Sequence, residues 1–344
     1  MSREVEVTGI HMTATTPASI QLSLGKGMNT STGLATQTID STTKRLTAVT
    51  APDDDEYWSN SVAVSEYYSF GRLTPATSAK GDDVFYTADV TGVGKTLKGQ
   101  TITDGGVAGS GTISASFTKA DTADALGAGN ATAAVAAIGD RTETITPITV
   151  ANDPYNNSGA YYIDIPIWFR TSISDDDVQL AVKATFVQGT NDYTMSGASA
   201  KGDQLYKAAR VSILEGNNST TKTNTLNQGV IMDSGTSYYR TAAGANLTGS
   251  ADPYTVNATG TASWTKVDKI TQYADTDKQT DGTVNAGTPI VKITKALAGS
   301  TWSAAAPYTI RVWLDGEDVN CWNATAGQDF GIELNFCQYV AATP

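Results

Sequence analysis

Along much of this chain, apolar residues fall at every second position, the period of a β-strand with one buried face. The clearest runs are Tyr308-Thr-Ile310-Arg-Val312-Trp-Leu314 and Phe330-Gly-Ile332-Glu-Leu334-Asn-Phe336. They flank an acidic, Gly-punctuated connection and read as a closing hairpin. Tyr161–Arg170 (YYIDIPIWFR) has the same style mid-chain. Pro166 within it removes a ladder donor, which predicts an edge strand or a bulge. Ser61–Ser65, Val84–Tyr86, Val178–Val187 and Ile290–Leu297 read as further strands, and Leu205–Leu214 as a short helix running into a strand.

At the start of the chain, Val5 and Val7 alternate on one parity, then Ile10, Met12 and Ala14 on the other. Gly9 at the switch marks a bulge or bend. Thr16-Pro17 breaks the run, and Ile20, Leu22 and Leu24 resume it. Two long polar stretches, near residues 95–151 and 216–289, interrupt the strand-rich segments. The Ala-rich part of the first, Asp121–Gly139, predicts a short helix because Ala is the best helix former. Many short strands, dense turns and little helix predict an all-β, antiparallel, jelly-roll-like β-sandwich with two long insertions.

Composition narrows the role. Of 344 residues only 17% are charged, and the net charge is −12. Lys and Arg are sparse and scattered, so nucleic-acid binding, which needs clustered cations against phosphates, is not expected. The same holds for an anionic membrane surface. Six Trp, fifteen Tyr and seven Phe argue for a packed core over a disordered chain. No apolar run is long enough to span a bilayer as a helix. Nor does Met1–Ala14 contain the apolar segment of a signal peptide. Either no such signal is used, or it has been removed and Met1 is a mature start.

No catalytic constellation stands out, and the chain is not expected to be an enzyme. His11 is the sole histidine. It sits between Ile10 and Met12, on the opposite parity, and reads as an outward strand side chain. The acidic groups Asp53–Glu56, Asp175–Asp177 and Asp315-Gly-Glu-Asp318 read first as turns. A Ca²⁺ site is the second reading, and no cofactor is expected; none of the three has EF-hand spacing. Trp168, Phe169, Trp302, Trp313 and Trp322 read first as core and second as a sugar-binding platform. Trp313 is out of phase with Tyr308, Ile310, Val312 and Leu314, so it faces a second layer or a subunit interface. Lys183 is the one candidate for a side-chain isopeptide crosslink. Cys321 and Cys337 either pair as a disulfide, if their strands lie adjacent, or are two buried thiols. Asn-x-Ser/Thr patterns at Asn29, Asn130, Asn156, Asn217, Asn218, Asn246, Asn257 and Asn323 arise readily in a chain rich in Thr and Asn.

Five segments in order carry a resemblance: TTPASIQLSLG (15–25), RLTPATSAKGDDVFYTA (72–88), YYIDIPIWFRTS (161–172), YKAARVSIL (206–214) and the closing YTIRVWLDGEDVNCWNATAGQDFGIELNF. Together they resemble the TasA and camelysin group, surface proteins of Gram-positive bacteria exported with a dedicated signal peptidase. The match covers about a third of the chain. In the Leu-x-Pro-x-Ser-like phrase Leu73-Thr-Pro75-Ala-Thr77, Thr stands in the last place. The resemblance implies a secreted jelly-roll sandwich that forms homopolymeric fibres or matrix filaments by donor-strand complementation. Residues 1–14 would then be the donor-type strand, with Val5, Val7, Ile10 and Met12 as plugs, and 15–344 the sandwich domain. The partner would be a second copy of the chain. A carbohydrate- or host-binding adhesin and a viral or phage jelly-roll protein are the competing readings.

Overall fold

In a computed structural model, the residues described are 10–26, 50–64, 84–91, 111–120, 135–149, 162–189, 205–216, 229–235, 238–240, 246–248, 254–256, 264–316 and 328–342. To these are added single positions such as Leu73, Ser78, Gly81, Asp318 and Cys321. In chain order the strands are β1 (Ile10–Thr15), β2 (Ile20–Ser23), β3 (Ser61–Ala63), β4 (Val84–Thr91), β5 (Gly111–Ala120), β6 (Val135–Thr149), β7 (Tyr162–Thr171), β8 (Val178–Gln188) and β9 (Ala209–Glu215). There follow β10 (Ile231–Met232), β11 (Tyr238–Arg240), β12 (Asn246–Thr248), β13 (Tyr254–Val256), β14 (Trp264–Lys266), β15 (Pro289–Ile293), β16 (Ala306–Leu314) and β17 (Phe330–Tyr339).

Two five-stranded sheets form a β-sandwich. The first has the order β15-β8-β17-β1-β3, the second β10-β9-β16-β7-β2. Pairing is antiparallel throughout except between β1 and β17. The core lies between the sheets. Met12, Val182, Phe186, Ile332, Leu334 and Phe336 enter it from the first, and Ile20, Ile165, Ile167, Phe169, Val211 and Ile310 from the second. Phe169 stands edge-on to both Tyr308 (5.7 Å) and Phe336 (5.0 Å), and so joins the two layers. The Tyr308 phenol also spans them. It accepts from the Lys292 backbone N–H (2.7 Å) and donates to the Lys292 carbonyl (3.1 Å) in β15.

The insertions carry further strands. β5 and β6 of the first join β4, which precedes it, in a three-stranded antiparallel sheet, and β12, β11, β13 and β14 of the second make a four-stranded one. The Ala-rich helix is corrected where it can be seen. Val135–Gly139 begins β6 and pairs there with β5, and ladder pairing overrides the helical preference of Ala. Residues 121–134 lie outside the described residues. The helix-to-strand reading of Leu205–Leu214 holds: a 3-10 turn at Leu205–Ala208 leads into β9.

The closing hairpin is also corrected, since β16 and β17 belong to different sheets. Their connection crosses the sandwich, and its start is tied down at Asp315, whose N–H donates to the Ala208 carbonyl (2.9 Å). One-faced burial fails for β16 and β7, which are buried on both faces over most of their length. Trp313 faces a second layer, where it packs with Tyr162, Leu214, Val230, Ile231 and Val267. The edge or bulge expected from Pro166 is corrected: β7 lies between β16 and β2 with no shift of register, and Pro166 sits just past the point where the β2 ladder stops at Trp168. Among the described residues it has a strand neighbour, Thr309 of β16, on one side only, so its missing N–H costs no bond on the other.

Candidate functional site

The N-terminal strand lies in a slot of its own sheet. β1 runs parallel to β17, from Ile10 opposite Phe330 to Thr15 opposite Asn335. Its other edge meets the three-residue β3, from Thr13 opposite Ala63 to Thr15 opposite Ser61. Met12 and Ala14 are wholly buried in the central core, and Thr13 between them is exposed. The alternation seen in the sequence therefore places these side chains as expected. Their strand, however, completes the sheet of its own chain. Val5 and Val7 lie outside the described residues. Of Ile10 and His11 only the backbone is placed, opposite Phe330 and Gly331.

The C-terminal end of the slot is defined by side-chain and backbone bonds. At its C-terminal end the Thr15 hydroxyl donates to the Asn335 side-chain carbonyl (2.7 Å). The chain then turns away through Thr16–Ser19 toward β2 in the other sheet. Asn60 clasps this link: its carbonyl accepts from the Thr16 N–H (2.8 Å), and its side-chain amide donates to the Pro17 and Ile20 carbonyls. Farther along the same edge of β17, Val284 takes over. Its N–H donates to the Gln338 carbonyl (2.9 Å), and its carbonyl accepts from the Val340 N–H (2.9 Å). β8 holds the opposite edge of β17 along its whole length.

Val284 belongs to a loop pinned at its neck by Thr288 N–H donating to the Thr271 carbonyl (2.7 Å). The loop packs Tyr273 and Val284 against Ala181 and Cys337 on the outer face of the first sheet. Gln272 accepts from the Ala184 N–H (2.6 Å), and Asp275 pairs with Lys183 (2.6 Å). That ion pair holds the Asp275 carboxyl below its ordinary range. Burial first, and then neighbouring Cys337, push the Tyr273 phenol well above its own. Lys183 and Asp275 are partly exposed, so this pair lacks the buried setting an isopeptide crosslink needs.

The possible Cys321–Cys337 disulfide is corrected: the two do not pair. Cys321 lies in the core between the sheets, while Cys337, one position past inward-facing Phe336, faces outward beneath the loop. The sheet itself separates the sulfurs. Trp168 and Phe169 are buried, Trp313 is in the second layer, and Trp322 lies outside the described residues. Trp302 lies over the Arg170 guanidinium (4.5 Å) and Trp58 over it again (4.4 Å), so this pair of rings holds a cation of its own chain. Arg170 also donates to Gln21 and Asp55. Burial lowers its pKa and Asp55 offsets part of that.

The acidic groups are engaged with protein partners. Asp53 pairs with Lys26, Asp54 caps the 3-10 turn that follows it, and Asp177 accepts from the Lys295 N–H (3.1 Å). Asp315 and Asp318 are buried and hold Arg210 at 3.5 Å and 2.7 Å. Among the described residues no group of three or more His, Cys, Asp or Glu stands where it could hold a metal ion. Of the Asn-x-Ser/Thr positions, all but Asn246 lie outside the described residues.

Three buried charge arrangements were not read from the sequence: Arg311 with Asp164 (2.7 and 2.8 Å), Arg210 with Asp315 and Asp318, and Arg170 between its two Trp rings. The signal was available. Each Arg, and Asp164, sits inside an otherwise apolar strand, and a charge in a strand buried on both faces must be paired. No protein-family model, no curated protein and no solved structure matches the chain.

Proposed function

We propose that the chain is a non-catalytic structural subunit of an extracellular, cell-surface filament. Its copies are jelly-roll-like sandwiches joined by exchange of the N-terminal strand. The observation that supports this most is the place of β1. It is one six-residue strand near the chain start, and it supplies two fully buried core residues. It pairs in parallel with β17, where every other pair of strands among the described residues is antiparallel. A strand joined to the rest of its sandwich only through a short link such as Thr16–Ser19 can be replaced by the same strand of a second copy without changing any contact in the slot, which is how domain-swapped and strand-donated assemblies form. The competing adhesin and capsid readings have no comparable observation in their favour.

Truncation tests the reading. Removing residues 1–14 takes away Met12 and Ala14, so the shortened chain has an open, apolar slot and is no longer a complete monomer. The test uses a chain starting at Thr16 and a synthetic peptide of residues 1–15. The expected outcome is a one-to-one complex. Full-length protein is expected to form filaments under negative stain, and excess peptide to shorten them. Filaments of normal length from the truncated chain alone would overturn the reading.

A further inference from the structure

The two-residue period that places Met12 and Ala14 in the core leaves a question of register. A slip of β1 by one residue would turn its apolar side chains outward. A slip by two keeps the parity, because Ile10, Met12 and Ala14 are all apolar, and so the pattern alone does not forbid it. Two features of the slot do. The Thr15 hydroxyl is bonded to the Asn335 side chain, and the next stretch of the same β17 edge is already occupied by Val284. A strand sliding forward along β17 would displace Val284 from Gln338 and Val340.

We propose that the loop from Thr271 to Thr288, through Val284, is the register stop of the strand slot, with Thr15 and Asn335 as its latch. It sets where a strand in the slot must end. On the strand-exchange reading above, on which this part rests, it does the same for a strand from a second copy. The loop is built for the task. Its neck is closed by Thr271 and Thr288, its tip by a bridge between Lys278 and Val284, and Gly282 (φ 83°) takes the left-handed turn between them. Val284 is fully buried, and Tyr273 donates to the Asn335 carbonyl (3.0 Å), so loop and latch meet at one residue of β17.

The test is disulfide trapping in a Cys337→Ala background. Thr13→Cys with Glu333→Cys reports the native register, since the two positions are opposite and exposed. His11→Cys with Glu333→Cys reports a forward slip of two. Each pair is placed in the parent and in a variant whose residues 273–287 are replaced by Gly-Gly. In the parent the first pair is expected to crosslink at least about tenfold faster than the second. Without the loop the second pair should gain several-fold. Continued crosslinking of the first pair in the loop-less variant shows that the sheet still folds. An unchanged preference in a folded loop-less variant would overturn the stop. Crosslinks within one chain test the stop, and crosslinks between chains test the exchange. A register shift within monomers, with no link between chains at filament-forming concentration, leaves the stop standing and removes the polymer reading.

Discussion

Met12 offers the sharpest measure of how strongly the slot holds its strand. Its side chain is fully buried among residues of both sheets, while neighbouring Thr13 points to solvent. Met12→Ala removes most of a buried thioether chain from a core that collapses only partly around the gap. Such truncations cost about 2–5 kcal/mol. In the full-length chain that loss appears as lowered stability. For a peptide of residues 1–15 binding the chain that begins at Thr16, the same loss appears as affinity. At about 1.4 kcal/mol per tenfold, it is roughly 30-fold at the low end and a few thousandfold at the high end. Thr13→Ala keeps the ladder and removes only an exposed hydroxyl, so it should stay within about 0.5 kcal/mol of the parent. Isothermal titration of the three peptides against one preparation of truncated chain makes the comparison. Equal weakening by Met12→Ala and Thr13→Ala would show that the strand is held by its backbone alone, and that inward plugging is not what the slot recognises.

Two further outcomes follow from the buried polar groups. Asp164→Ala leaves the Arg311 guanidinium buried without its carboxylate and should cost about 3–5 kcal/mol in urea unfolding. Asp164→Leu combined with Arg311→Met should recover most of that loss, because a well-packed apolar pair replaces a desolvated ionic one. Tyr308 contributes to alkaline stability: burial raises its phenol from 10.0 to about 12. A folded pKa above the unfolded one contributes stability that is complete below about pH 10 and lost as pH rises toward 12, about 3 kcal/mol in all. Tyr273 shifts in the same direction, so the informative quantity is the difference between the parent and Tyr308→Phe. The variant should be less stable near neutral pH and should fall less steeply above pH 10; parallel profiles would refute the assignment.

Much of the sandwich was legible because alternation is a local signal. Ile20 and Leu22, Ile165, Ile167 and Phe169, and Ile332, Leu334 and Phe336 all enter the core as their parity required. What alternation does not carry is which strand lies beside which. Nothing in Tyr308–Phe336 distinguishes a hairpin from a crossing between sheets. The start of the crossing is held by Arg210, a hundred residues upstream, which pairs with Asp315 and Asp318. Helix propensity misled at Val135–Gly139 for a similar reason, since the ladder with β5 outweighs a preference of a few tenths of a kcal/mol per residue. Trp313 was half legible: its phase announced a second face, but the cover over that face comes from Val230, Ile231 and Val267. The candidate slot was legible as a strand and not as a place. Parity singled out Met12, whereas the partner β17, the latch at Asn335 and the stop at Val284 are brought together across some 270 to 320 positions of chain.

The Asn60 clasp has a mechanical consequence. Only Thr16–Ser19 separates β1 from β2, and a segment that short spans at most about 15 Å when fully drawn out. A filament made by exchanging β1 therefore has no slack between its members. Each subunit would be tethered to the next by a link of that length, and its Thr16 end would meet Asn60 beside the accepting slot, where Ser61 stands opposite Thr15. Bending such a filament would require neighbouring bodies to roll against one another, since the joint has no length to flex. The assembly would behave as a stiff rod under load, unlike beads on a slack cord, and pulling on it would strain the six-residue ladder along β17 before anything else gave way.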